Sequence, residues 1–132
     1  MLEEVQVKTN TREELLDITP IVRDFIRRAK LEEGLITVFV PHTTAAVTIN
    51  ENADPDVKHD IIDKLRREFP EHDRYRHAEG NSDAHIKSSL TGPSLPIIVS
   101  AGRPVLGTWQ GVYFCEFDGP RTRRLYLKAI SG

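Results

Sequence analysis

Three histidines widely separated along the chain carry the chemistry this sequence offers. His77 and His85 bracket the polar stretch HAEGNSDAHIKSSLTG, residues 77–92, in which Gly80 and Asn81 let the chain reverse. His42 stands upstream, in VPHTTAAVTINENADPD. Imidazole is the commonest side-chain metal ligand near neutral pH, and three of them with a water would give zinc an open catalytic position. Magnesium is the alternative ion. The spacing matches no strong zinc signature such as HExxH, so turn-stabilising or core histidines fit the residues alone equally well. The expectation is that His42, His77 and His85 converge on one site as metal ligands or acid/base groups.

Other polar residues could serve such a site. Glu51 lies in an acidic-amide cluster with Asn50, Asn52, Asp54 and Asp56, where it could act as a general base, although a polar turn would need the same residues. Lys87, Ser88, Ser89, Thr91 and Gly92 combine a cation, hydroxyls and glycine-exposed amides, a set suited to an anion such as phosphate. A short helix or turn capped by Ser and Thr is the plainer reading. No GxxxxGK[ST] occurs, which excludes a P-loop. Arg121, placed by the Asp118-Gly119-Pro120 turn, could clamp the same anion bidentately. His59 and His72 read as solvated surface, Arg123 and Arg124 as an exposed strand edge or subunit contact. Trp109 and Cys115 read as packing residues.

The elements that must position these groups follow from periodicity. Val5 and Val7 alternate with Gln6 and Lys8 as in a half-exposed strand, and Glu13 to Ile18 suggests a second. Thr19-Pro20 reads as N-cap and first helical residue, with Val22, Phe25, Ile26 and Ala29 on one face and Gly34 able to end the helix. Leu35 to Val40 reads as a buried central strand and Ala46 to Asn50 as another, so that His42 falls where two strands meet. Asp54-Pro55 opens a second helix with Val57, Ile61, Ile62, Leu65 and Phe69 inward, flanked by the i,i+4 pairs Asp60–Lys64 and Asp63–Arg67. Strands are expected over Leu95–Ser100, Pro104–Thr108, Gln110–Phe117 and Arg123–Ile130. Two early helices and a strand-rich remainder predict a single α+β domain with a mostly antiparallel sheet.

Size and charge bound the function. The 132 residues fit one domain, and 39% hydrophobic with 29% charged residues is an ordinary globular composition. A formal net charge of -2 supplies no basic field, which disfavours nucleic acid as a partner. No apolar run approaches the ~18 residues of a membrane span. With a single cysteine and no N-terminal apolar segment, a cytoplasmic location is expected.

The chain resembles the YjbQ family, whose members are labelled secondary thiamine-phosphate synthase enzymes. The resemblance rests on Pro41-His42-Thr43-Thr44-Ala45, on Asn50-Glu51-Asn52 with Asp54-Pro55-Asp56, and on His77 through Gly80-Asn81 to Ala84-His85. Ser89 to Pro93, Gly107 to Gly111, and Glu116-Phe117-Asp118-Gly119-Pro120-Arg121 complete it. It implies an α+β domain with a mostly antiparallel or mixed sheet curled around two main helices, assembled as a homotrimer. It also implies a histidine pocket occupied by a metal ion or an anion. The implied activity is weak thiamine-phosphate synthesis, the joining of hydroxymethylpyrimidine diphosphate to a thiazole phosphate with loss of pyrophosphate. On matching positions, His42, His77 and His85 become the metal or acid/base groups, Asn81 and Asp83 their supports, and Ser89, Thr91 and Arg121 anion contacts. Two other readings use the same residues: a metal-dependent hydrolase, and a non-catalytic protein that binds a phosphorylated metabolite.

Overall fold

The computed structural model describes residues 1–132 as eight strands and three helices. Strands β1 (Leu2–Lys8), β8 (Thr122–Ser131), β3 (Gly34–Phe39), β5 (Ser94–Ser100) and β6 (Arg103–Pro104) form a five-stranded sheet in that order. Strands β2 (Glu14–Asp17), β7 (Gln110–Glu116) and β4 (Ala45–Glu51) form a three-stranded one, and every pairing is antiparallel. The domain is α+β with a curled antiparallel sheet, as the element pattern predicts.

Period-two alternation sends one face of each strand inward. Val7, Leu125, Leu127, Ile36, Val38, Ile97 and Val99 of the larger sheet meet Val47, Val112 and Phe114 of the smaller. Helix α1 (Thr19–Arg28) fills the space with Val22, Phe25 and Ile26, each completely or almost completely buried. Burying a side chain of that size contributes roughly 1.5–3 kcal/mol. The other face of the small sheet carries a second cluster, Leu15, Ala46, Tyr113, Cys115 and Phe117. Helix α3 (Ser82–Thr91) covers it through Ala84, and α2 (Pro55–Glu68) through the half-buried Ile61, Ile62 and Leu65.

Several local expectations are corrected. Thr19 does not cap α1. Its hydroxyl donates to Asp17 Oδ1 at 2.6 Å and accepts the Val112 N–H at 2.9 Å, tying the helix to β7. The helix ends before Gly34, which opens β3 where a Cβ would lie 2.2 Å from the Ile130 carbonyl oxygen. Strand β3 is buried on one face only: Ile36 and Val38 point inward, whereas Leu35 and Phe39 are exposed. Leu35 stands in register with Ile98 and Ile130, both exposed, in a row across the outer sheet face. The strand expected over Pro104–Thr108 shrinks to Arg103–Pro104, returning on β5 through Ala101-Gly102, both at positive φ. Asp54 caps α2 as expected, accepting the Asp56 N–H at 2.9 Å. The Asp63–Arg67 pair forms at 3.1 Å, but Lys64 bonds Glu68 at 2.6 Å instead of Asp60. Trp109, expected to pack, is 62% exposed, and Arg123, expected at the surface, is buried.

Candidate functional site

His42, His77 and His85 line one cavity of about 710 Å³. Apart from Pro41 and Gly80, its wall is made of polar and charged side chains. Thr43 and Thr44 come with His42 from the β3–β4 connection, and Glu71, Glu79 and Asn81 from the chain between α2 and α3. Asp118 and Arg121 enter from the turn after β7, and Arg123 from β8. His77 precedes α3 and His85 lies in its first turn, so the reversal at Gly80, at φ 81°, folds one ring against the other. Their centroids stand 5.5 Å apart with planes at 86°, an edge-to-face pair.

A buried carboxylate organises the far wall. Glu116, with no exposed surface, accepts from Arg123 Nε at 2.8 Å, Thr9 Oγ1 at 2.8 Å and the Asp118 N–H at 3.0 Å. Burial alone would raise this carboxyl, but the Arg123, Asp118 and Thr9 hydrogen bonds outweigh it and hold it below the ordinary range. Asp118 in turn accepts from Asn81 Nδ2 at 2.8 Å and Arg121 Nη2 at 3.0 Å. The turn needs Gly119, where a Cβ would sit 2.5 Å from the Thr11 carbonyl oxygen. Arg123 Nη2 donates to Thr44 Oγ1 at 2.8 Å, securing the loop that carries His42. On that loop, His42 Nε2 accepts the Arg124 N–H at 3.0 Å. Burial, then the charges of Arg123 and Arg124, lower the pKa of His42.

As arranged, these residues do not fit a metal ion. No group of three or more His, Cys, Asp or Glu side chains is spaced to hold one. His42 Nε2 is committed to the Arg124 amide, which leaves His77 and His85 short of the three protein ligands of a catalytic zinc site. Glu79 Oε2 lies 3.9 Å from His77 Nε2, beyond hydrogen-bond distance.

The remaining predicted site residues lie elsewhere. Asp83 points away from the cavity and is bound by Arg12 Nη2 at 3.0 Å, Arg12 Nη1 at 3.2 Å and Lys87 Nζ at 2.8 Å. Burial opposes its ionisation, yet the bonds from Arg12 and Lys87 prevail and depress its pKa. Lys87 also bonds Glu13 at 3.2 Å and has no exposed surface, so it is a structural cation with no reach to an anion in the cavity. Ser89 and Thr91 donate to the carbonyls of His85 and Lys87, within their own helix. Ser88 is buried, its hydroxyl without a partner, and Gly92 ends α3 at φ 108°. Thr91 instead edges a separate apolar cavity of about 670 Å³ between α2 and the small sheet, over Leu15, Cys115 and Phe117. That burial pushes the Cys115 thiol up to about 12. Glu51 sits at the far end of β4; six residues at ~3.3 Å put it roughly 20 Å along the strand from Ala45. Of the predicted anion set only Arg121 faces the histidines, while Asn81 does so from the support set.

Thr44, Glu116 and Arg123 escaped residue-type reasoning. Thr44 and Glu116 were signalled only by inclusion in the stretches that resemble a known family, and Arg123 lies outside those stretches.

Fold and site together define a small α+β protein in which loops from both sheets meet around a polar histidine cavity braced by buried ion pairs. The chain belongs to the YjbQ family: residues 3–132 match the family described as UPF0047 protein YjbQ-like. It is 58% identical over 130 residues to a UPF0047 protein of Methanocaldococcus jannaschii, covering 98% of this chain and 94% of that one. The UPF0047 protein YugU of Bacillus subtilis is 53% identical over 131 residues, covering 98% and 99%. A crystal structure of a YjbQ/UPF0047 protein from Clostridium acetobutylicum superposes with a TM-score of 0.95 at 50% identity, covering 97% of this chain and 99% of that one. A hypothetical protein from Aeropyrum pernix gives 0.95 at 36% identity, covering 100% and 99%.

Proposed function

We propose that the histidine cavity binds a phosphorylated small molecule and exchanges protons with it, with thiamine-phosphate formation as the first candidate reaction. The observation that carries the reading is the meeting of three imidazoles with Arg121 in a cavity lined almost wholly by polar and charged side chains. Such a wall suits a highly polar ligand. Joining a pyrimidine diphosphate to a thiazole phosphate releases pyrophosphate, whose growing charge requires cations and hydrogen-bond donors close by. Arg121 is half-exposed and, although its Nε and Nη2 bond Asp118, its Nη1 bonds no protein group and is left to meet an anion; Arg123 is buried and held by Glu116 and Thr44. His77 and His85 are the groups left free to take and return protons. No step in this proposal runs through a metal.

The test is turnover of purified protein with both precursors, repeated for His85→Ala and Arg121→Ala. A loss of about a hundredfold or more in both variants is expected, the usual scale for removing a proton-transfer or charge-stabilising group. Full activity in both would remove the cavity from the reaction. Binding of phosphorylated ligands with no turnover across a broad panel would leave a binding protein. One equivalent of zinc or magnesium per chain, with activity lost to chelator, would favour a hydrolase. Homotrimeric assembly in the cytoplasm belongs to the same proposal. Sedimentation should give three times the 15.0 kDa chain, and a monomeric mass would remove the trimer.

A further inference from the structure

We infer that His42 is a fixed hydrogen-bond donor: a neutral imidazole locked as its Nδ1–H tautomer, offering that proton to an acceptor oxygen of the ligand. The tautomer stands on the structure alone; the identity of the acceptor rests on the phosphorylated-ligand reading above.

The lock is the main chain of β8. Strand β3 stops pairing at Phe39, opposite Tyr126. Two residues further along β8, the Arg124 N–H donates to His42 Nε2 at 3.0 Å, so the ring accepts it as a strand carbonyl would. A backbone N–H cannot accept or rotate away, and Arg124 is held in register with Gln6 of β1 and flanked by the buried Arg123 and Leu125. Only an unprotonated nitrogen can face it. In a neutral imidazole the proton must then be on Nδ1. A second proton would set N–H against N–H.

Burial and the charges of Arg123 and Arg124 disfavour a second proton, and outweigh the opposing pull of Glu116. Arg123 and Arg124 of β8 are the cations near the ring, and Glu116 of β7 is already engaged by Arg123. Glu4 of β1 lies with them in the shallow cleft on the outer side of His42. Nδ1 itself bonds no protein group, and the ring lines the cavity. Ligating a metal through Nδ1 would require removing that proton and placing one on Nε2 against the amide. What His42 offers is therefore a neutral N–H, suited to a phosphoryl or carbonyl oxygen and unsuited to a cation.

Long-range ¹⁵N–¹H NMR on the labelled wild-type protein reads the tautomer directly. Nε2 is expected at the frequency of an unprotonated ring nitrogen and Nδ1 at that of a protonated one, unchanged as the pH is lowered past the ~6.5 of a free imidazole. An Nε2–H tautomer or an imidazolium near neutral pH overturns the inference. Inorganic phosphate then probes the donor. His42→Gln keeps an acceptor for the Arg124 amide but removes the Nδ1 donor, and should bind phosphate about tenfold more weakly, the effect of losing one hydrogen bond to a charged group. His42→Asn, which returns an amide N–H near the Nδ1 position, should recover part of that loss. Undiminished binding by His42→Gln overturns the donor role. If the wild type ignores phosphate, the functional reading fails and the donor role with it. Phosphate binding alongside the wrong tautomer defeats the inference alone.

Discussion

At the residue scale, Lys87 separates chemistry suggested by type from chemistry permitted by place. Its ammonium has no exposed surface and is held by Asp83 at 2.8 Å and Glu13 at 3.2 Å. Replacing it leaves the two interior carboxylates with Arg12 as their remaining close cation. Lys87→Ala should therefore cost about 1.5–3 kcal/mol, the scale for losing hydrogen bonds to charged groups while Arg12 still compensates them, read as a lower urea midpoint at an unchanged slope. A loss under about 1 kcal/mol would mean that the carboxylates find water and that the pair is dispensable. The convergence of His42, His77 and His85 was legible as an expectation only: glycine- and hydroxyl-rich stretches suit a pocket, but turn-stabilising or core roles fitted the same residues equally well. The fate of Lys87 was not, because an anion-binding lysine and a buried structural one are the same letter. Only the i,i+4 spacing of Asp83 and Lys87 signals the pair, and only once the stretch is known to be helical. The lock on His42 was illegible for another reason: its donor is a main-chain amide 82 residues away.

At the element scale, legibility followed the kind of surface each segment buries. Helices α1 and α2 were readable from apolar residues at helical spacing behind proline. Helix α3 was legible only as a short helix or turn around Lys87 to Gly92, because the residues it buries are Asp83, Ala84, Lys87 and Ser88, and an ionic face leaves no hydrophobic period. Strand β3 was over-read as buried on both faces because Leu35 and Phe39 keep an apolar run going out to solvent. The pattern for α2 was correct in direction but not in depth: none of its residues is fully buried, and the apolar cavity opens beneath it. This ranks the elements by energy. Ile36→Ala in β3, fully buried, should cost about 2–5 kcal/mol, whereas Ile61→Ala in α2 should fall well short of that range. Asp54→Ala, which removes the α2 cap, should cost about 1 kcal/mol. Native-state hydrogen exchange should release α2 amides before those of β7. Equal costs at Ile36 and Ile61, with equal protection of the two elements, would show α2 to be as firmly seated as the strands.

At the scale of the whole molecule, two buried ionic networks bind segments far apart in sequence. Arg12 and Glu13, before β2, hold α3 through Asp83 and Lys87, while Thr9, just after β1, donates to Glu116 of β7, which is also bound by Arg123 of β8. Protonating either carboxylate thus loosens the chain across its full length, and the pH at which this happens follows from the direction of the shifts. Asp83 and Glu116 both bind protons less readily folded than unfolded, because hydrogen bonds from Arg12 and Lys87, and from Arg123, Asp118 and Thr9, outweigh burial. Their contribution is complete above the unfolded carboxyl range of about 4 and is lost as pH falls through the lower folded values. His42 adds an earlier, shallower decline. Its folded pKa is depressed, so the unfolded chain takes up a proton first and stability begins to fall below about 6.5. Urea midpoints measured from neutral to acid pH should show both stages in the wild type. In Glu116→Gln the lower stage should shrink while stability at neutral pH drops, because an amide keeps the shape but gives up the charge that Arg123 requires. In His42→Gln the upper stage alone should vanish. An acid decline of full size in both Glu116→Gln and Asp83→Asn would place the proton-linked stability in exposed carboxylates, outside the networks that join the two sheets to α3.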